Sequence, residues 1–358
     1  MHQALYYNSV EGKKVQCHLC PHNCIIHPVR SVDNNVSKTE ANSITTDTVA
    51  SNGAKQNKVG ICRQRKNLEG ILYSLNYGKV VSVNLDPMEK KPLYHFYPGE
   101  RILSIGTNGC NLSCQFCQNW SISQEDSPAE DVTPDNIIEL ARRHKTRFIA
   151  YTYNEPFIWY EYVLETARLA KSDGLMNVLV TNGYVNPEPL KELLPYISAM
   201  NIDIKSIKPD FYRRLCKARL EPVLETAKTA RKKTHIEITN LIITGENDTV
   251  EEFEAISRWI ADNLGQDTPL HFSAYFPSYK LDNPPTSAET LLEAYRIARK
   301  YLHFVYLGNV TGIEEGRDTS CYHCGNKLVE RTGYQVRIAG LAGDGKCAQC
   351  GKPNGIKS

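Results

Sequence analysis

The stretch Arg101-Ile-Leu-Ser-Ile-Gly106-Thr-Asn-Gly-Cys110-Asn-Leu-Ser-Cys114-Gln-Phe-Cys117-Gln-Asn-Trp120 joins a short apolar run to three cysteines within eight residues. Ile102–Gly106 has the length and β-branched content of a buried strand, and glycine and asparagine then end it. Three thiols spaced by three and two residues, on the loop that leaves a strand, make a poor core pattern. A structural zinc ion takes four protein ligands, and no fourth ligand lies nearby in the sequence. Three thiolates suit a four-iron cluster with one iron left open to an exogenous ligand.

Downstream, the chain keeps switching between strand-like and helical runs. The strand candidates are Ile102–Gly106, Arg147–Thr152, Asn177–Thr181, Ala199–Ile204, Ile236–Ile243, Leu270–Phe276 and Phe304–Leu307. Thr133-Pro134 reads as an N-cap followed by proline at the first helical position, and Thr249-x-x-Glu252 and Thr286-x-x-Glu289 read as capping boxes. Phe253, Ile256 and Ile260 make one apolar helical stripe; Leu291, Tyr295, Ala298 and Leu302 make another. This alternation predicts an α/β fold with a parallel sheet, open or closed into a barrel, whose chemistry collects at the C-terminal ends of the strands. Polar residues recur at those ends: Asn154-Glu155, Asn182, Asp203 with Lys205, Thr239-Asn240, and His271 at the start of the sixth strand.

The remaining cysteines sort themselves by position. Cys17, Cys20, Cys24 and Cys62 precede the alternating region; Cys321, Cys324, Cys347 and Cys350 follow it; Cys216 stands alone. Tight CxxC clustering in a reducing compartment points to metal rather than disulfides. The two C-terminal CxxC knuckles, each followed by glycine and separated by 22 residues, predict a four-cysteine zinc ribbon, with an iron–sulfur cluster or redox pair as the rivals. The N-terminal set is less regular, and zinc or a second, auxiliary cluster both remain open. His18, His22 and His323 lie among these ligands as neighbours, and Cys216 reads as a helix cysteine without a catalytic role.

Three units follow: residues 1–100, the N-terminal four-cysteine module and lead-in; 101–310, the α/β unit; and 311–358, the ribbon-like module. Within the first, 31–58 is aromatic-free and dominated by Ser, Thr and Asn, too poor in apolar surface to offset its ordering entropy, so it reads as a disordered insertion. The net charge of +2 gives no chain-wide signal for nucleic acid. Arg213–Lys233 carries eight basic residues, read as a solvated helix face with an acidic docking partner as the alternative. No run approaches the roughly 18 apolar residues of a membrane span. The opening MHQALYYNSV lacks a charged and then apolar leader, so a cytoplasmic protein is expected.

The cysteine loop, with Asp86-Pro-Met-Glu-Lys-Lys-Pro-Leu-Tyr-His95-Phe before it, resembles the radical S-adenosylmethionine enzyme of the AmmeMemoRadiSam system, a branch similar to the activating enzymes of pyruvate formate-lyase. The resemblance covers nearly the whole chain apart from 31–58. It implies a partial (βα)6-type barrel and a [4Fe-4S] cluster held by Cys110, Cys114 and Cys117. S-adenosylmethionine would bind the open iron, and a one-electron donor would drive its cleavage to a 5′-deoxyadenosyl radical. It further implies cofactor contacts from Asn154, Glu155, Asn182, Asp203, Lys205, Asn240 and His271, with Lys205 also catalytic, and Memo-type and AMMECR-type proteins as partners. Apart from the resemblance, the position of Glu89–His95 just before the first strand would place His95 or Lys91 against the barrel mouth, a polar loop being the alternative. The radical's target is left as a protein or a small molecule, with glycyl-radical-enzyme activation as the second reading. The competing class is a zinc-ribbon binding or scaffold protein whose barrel carries no chemistry.

Overall fold

The computed structural model describes residues 1–29 and 58–358. The 31–58 insertion, except for its last residue, lies outside them. Its centre is an eight-stranded sheet in sequential order: β1 (Ser82–Pro87), β2 (Arg101–Gly106), β3 (Phe148–Tyr151), β4 (Met176–Thr181), β5 (Ile197–Asp203), β6 (His235–Ile242), β7 (Leu270–Ala274) and β8 (Val305–Gly308). β2 through β8 pair in parallel, while β1 runs antiparallel along β2 in the register Ser82↔Gly106 to Pro87↔Arg101. β1 and β8 are the two edges and do not pair with each other, so the barrel is open along one seam.

All seven expected strands are present. The sequence reading missed β1, an edge strand whose polar alternation and terminal Pro87 mimic a loop; proline is tolerated there because an edge strand has free donors to spare. Helices α1 (Pro134–Arg143), α2 (Tyr160–Ser172), α3 (Pro187–Leu193), α4 (Glu221–Arg231), α5 (Val250–Leu264) and α6 (Ala288–Ala298) fill the crossovers. Thr133 caps α1 with Pro134 at its first position. Thr249 caps α5 through the Glu252 backbone amide, but the Glu252 carboxylate turns away to accept from Ser206 and Ile207. The expected capping box at Thr286 is corrected: Ser287 caps α6, because Thr286 Oγ1 is already committed to Ile242 O and Tyr275 N.

Small antiparallel sheets flank this unit. Two precede it: Tyr7–Val10 with Lys14–Cys17 and Ile25–Ile26, and His2–Gln3 with Ile71–Ser74 and Arg65–Leu68. A third follows: Thr319–Ser320 with the hairpin Lys327–Thr332/Gln335–Ile338. One apolar core runs from the N-terminal module through the helix–sheet interface, whereas the C-terminal module has its own small cluster of Cys321, Leu328, Val329, Cys347 and Ile356.

His95 does not reach the barrel mouth. It is fully buried, with Nδ1 at 3.2 Å from Asn354 O and Nε2 at 2.6 Å from Tyr306 Oη, and burial lowers its pKa to about 3. The neutral ring satisfies both contacts by donating from Nδ1 and accepting at Nε2. In the unfolded chain the imidazole takes up its proton near pH 6.5 and in the fold it does not, so stability is full above that pH and falls below it. Between pH 6.5 and 5 this one group is expected to cost about 2 kcal/mol. Urea midpoints at pH 7 and pH 5 check this, the drop being smaller in His95→Gln than in the unaltered chain.

Candidate active site

β2 ends in Gly106, and the loop beyond it brings Cys110, Cys114 and Cys117 to one cavity of about 580 Å³. Asn154, Glu155, Thr181, Asn182, Asp203, Lys205, Thr239, Leu241, His271, Ser273 and Asn309 line the same space. The loop turns at Gly109 (φ +93°), where a Cβ would lie 2.6 Å from Cys62 O, so only glycine lets the loop back onto the N-terminal module. His22 Nε2 joins the same junction at 2.7 Å from Asn111 O. Asn154 braces the loop by accepting from Thr107 N and donating to Gly109 O. Asn182 donates to Asn111 Oδ1 at 3.0 Å and lies 3.6 Å from Cys110 Sγ.

Burial pushes the Cys110 thiol well above its ordinary pKa and raises Cys117 as well. Cys114 is held below its ordinary value by the neighbouring Cys216 thiol and, against burial, by Lys205. Buried thiolates without a cation are costly, and a cationic iron core supplies the missing charge. Three such thiols around one roomy cavity fit a three-cysteine cluster with an open coordination position.

Lys205 Nζ pairs with Asp203 Oδ2 at 2.9 Å; although burial alone would lower its pKa, Asp203 and Cys114 hold it well above the ordinary lysine value. Glu155 is 1% exposed, and both its oxygens are taken: Oε1 accepts from Thr181 Oγ1 and Phe157 N, Oε2 from Asn182 N. Burial raises its pKa to about 7 despite those donors. Its contacts brace the β3 and β4 ends while the side chain still lines the cavity. Asn240 lies outside the cavity, buried and donating to Ile204 O, because side chains alternate along β6 and Thr239 and Leu241 take the inward positions. Lys91 does line the cavity, bonded to Asp86 at 2.6 Å and 4.6 Å above the Tyr153 ring.

The sequence reading missed Glu237, which shares the inward register of Thr239 and Leu241. It is fully buried and accepts from Tyr94 N and His95 N, and it bridges His235 Nε2 at 3.0 Å and His271 Nε2 at 2.6 Å. These contacts hold its carboxyl well below the usual range against the cost of burial. His271 is thereby fixed by a carboxylate at one nitrogen while its ring lines the cavity. Applying the period-two rule along His235-Ile-Glu-Ile-Thr239 would have found it. The lone Cys216 is a helix cysteine, as expected. It closes a π-helical turn (Tyr212–Cys216), and the bonds Ser113 N→Cys216 O and Gln115 N→Leu215 O set it beside Cys114.

The outer cysteine sets differ from each other. Cys321 Sγ lies 3.7 Å from Cys350 Sγ and Cys324 Sγ lies 3.7 Å from Cys347 Sγ, close to the roughly 3.8 Å edge that metal–sulfur bonds of about 2.3 Å give a tetrahedron. Among the described residues this is the one group of three or more Cys, His, Asp or Glu whose ligand atoms all lie within 4.8 Å of one another, and it could bind a metal ion. Cys17, Cys20, Cys24 and Cys62 have their pKa values raised by burial, but their sulfurs do not reach that closeness. In the basic Arg213–Lys233 stretch, Arg213 pairs with Asp210, Arg214 with Glu246, Lys228 with Glu225 and Arg231 with Asp267. No helix among the described residues is long and apolar enough to cross a membrane.

The model of the radical SAM superfamily matches residues 104–260, from the end of β2 through the three-cysteine loop and the parallel strands to α5, and this domain indicates an enzyme. Residues 104–260 thus form a radical SAM domain, and that family implies S-adenosylmethionine, a [4Fe-4S] cluster and an electron donor. More particularly, it is 42% identical over 359 aligned positions to the uncharacterised protein MJ0808 of Methanocaldococcus jannaschii, covering 98% of each chain, and belongs to the same family. It is also 25% identical over 226 residues to the pyruvate formate-lyase-activating enzyme of Staphylococcus epidermidis, covering 56% of this chain and 88% of that one. Among solved structures, a domain of the pyruvate-formate lyase-activating enzyme from Bacteroides vulgatus aligns with a TM-score of 0.40 at 18% identity, covering 45% of this chain and 98% of that one.

Proposed function

We propose that this enzyme reductively cleaves S-adenosylmethionine and uses the resulting 5′-deoxyadenosyl radical to abstract hydrogen from a protein or small-molecule substrate. The observation that carries this reading is the convergence of Cys110, Cys114 and Cys117 on one cavity. Cys110, Cys114 and Cys117 would hold a four-iron cluster there, which would supply the electron for reductive cleavage and an open coordination position for S-adenosylmethionine. The chain's own residues do the rest. Asn154 and Asn182 hold the loop, the Asp203–Lys205 pair sets a fixed charge beside the thiols, and His271, anchored by Glu237, presents its ring to the ligand space. The walls of the cavity exclude water from a reactive carbon radical.

Anaerobic reconstitution tests the reading: the barrel is expected to bind about four iron and to release 5′-deoxyadenosine only with S-adenosylmethionine and dithionite. A chain that binds only zinc and leaves S-adenosylmethionine intact is instead the ribbon-type scaffold. Activation of a glycyl-radical enzyme is the second reading, favoured by the similarity to the Staphylococcus epidermidis activating enzyme. Memo-type and AMMECR-type partners rest on the sequence resemblance. Deuterium transfer from labelled candidate substrates into 5′-deoxyadenosine separates these targets.

The C-terminal cysteines suit structural zinc by their sulfur spacing, and Cys17, Cys20, Cys24 and Cys62 suit a second metal group. About one zinc per chain is expected at the C-terminal site. Metal analysis of Cys324→Ser, purified without chelator, should show that equivalent lost and the barrel iron retained.

A further inference from the structure

The open sheet exposes a seam between β1 and β8, and the C-terminal module touches the structure on both sides of it. On the β8 side, Tyr306 Oη lies 2.8 Å from Thr319 Oγ1. On the β1 side, Arg331 donates to Tyr94 O at 2.9 Å, lies 4.1 Å above the Tyr94 ring, and places Nε 3.6 Å from Oε1 of Glu89, which directly follows β1's last turn. Arg331 also donates to Thr319 Oγ1 at 2.8 Å and is 1% exposed. It is a buried rivet between module and barrel. Three residues on, beyond the hairpin turn at Gly333 (φ +59°), Tyr334 lines the same cavity as Cys110, Cys114 and Cys117 while remaining 55% exposed.

The hairpin that carries Tyr334 depends on the cysteines. Its first strand follows the Cys321–Cys324 knuckle and its second leads to Cys347–Cys350, with Cys321 N bonded to Asn326 O and Ala339 N to Leu328 O. Two of the five residues in the module's buried cluster are metal-ligand candidates, Cys321 and Cys347. So small a core is insufficient without a cross-link or metal.

We propose that the C-terminal module is a wall of the radical cavity, that the Tyr334 ring guards its side entrance, and that metal at Cys321, Cys324, Cys347 and Cys350 holds this wall shut. The proposal rests on the reading under Proposed function for what the cavity does, but not for its shape. Access is measured on the full-length, cluster-loaded protein as the rate at which ferricyanide bleaches the cluster absorbance. Tyr334→Ala and, independently, Cys350→Ser are expected to bleach severalfold faster than the unaltered chain, and Tyr334→Phe at the unaltered rate. An unchanged rate in Tyr334→Ala, at equal iron content and equal far-ultraviolet circular dichroism, overturns the proposal. An unchanged rate in Cys350→Ser alone overturns the metal dependence. Should no cluster assemble in any protein, the radical reading fails. The wall is then read by iodoacetamide alkylation of Cys110, Cys114 and Cys117 in the same proteins, where the same ranking supports it and equal rates overturn it.

Discussion

Cys114→Ala is expected to lose the barrel's iron and with it all release of 5′-deoxyadenosine, while Cys216→Ala keeps both. The contrast matters because the fold sets the two thiols side by side, and a fourth cysteine near a three-cysteine site invites the idea that any three suffice. Geometry argues otherwise. Cys110, Cys114 and Cys117 all line the cavity; Cys216 does not, is 0% exposed, and is anchored by the backbone bonds at Ser113 and Gln115. Its effect on Cys114 is to favour the thiolate, an effect a neighbour has without touching the metal. Iron and sulfide analysis with visible absorbance, on proteins reconstituted side by side, decides the matter. Full iron in Cys114→Ala, or its loss in Cys216→Ala at unchanged circular dichroism, would sink this assignment of ligands.

Much of the fold was legible because its strands are buried on both faces and several read as short apolar runs, such as Phe148-Ile-Ala-Tyr151. β1 was not, since an edge strand faces solvent and carries the polarity of a loop. Thr286 misled because the capping-box rule sees only local spacing, whereas Ile242 and Tyr275, distant in sequence, claim its hydroxyl.

The site was legible where chemistry demands a residue type, as with the three cysteines and the Asp203–Lys205 pair. It was not where direction decides. Asn240 and Thr239 are adjacent letters, but the pleat sends one out and the other in. The bonds that Thr181 and Asn182 give Glu155 join strands distant in sequence and leave no local mark on it. Glu237 and Tyr334 stayed hidden for opposite reasons. Glu237's importance comes from two histidines and a loop that meet it only in the fold, and Tyr334 belongs to a module with no sequence mark tying it to the barrel.

The largest stability effect is expected at the joint between the N-terminal module and the barrel. Arg65 Nη1 and Nη2 donate to Glu161 Oε1 and Oε2 at 2.7 and 2.9 Å, and Leu5 N donates to Oε1 at 2.7 Å. The paired side chains are 1% and 2% exposed. Glu161→Ala strands a buried guanidinium and a backbone amide and should cost about 3–5 kcal/mol. Arg65→Met with Glu161→Leu removes both charges, leaving only the Leu5 amide short of a partner, and should recover most of that loss, since the desolvation of the pair offsets much of its attraction. Urea unfolding of the two variants gives the comparison. The joint also bears on chemistry: Cys62 and Gln64, beside Arg65, form the surface on which Gly109 packs. Iron content in Glu161→Ala should therefore fall before the barrel itself unfolds, and should return in the double variant. A Glu161→Ala cost below about 1 kcal/mol, the range of exposed pairs, would mean that the module is held by its apolar contacts alone.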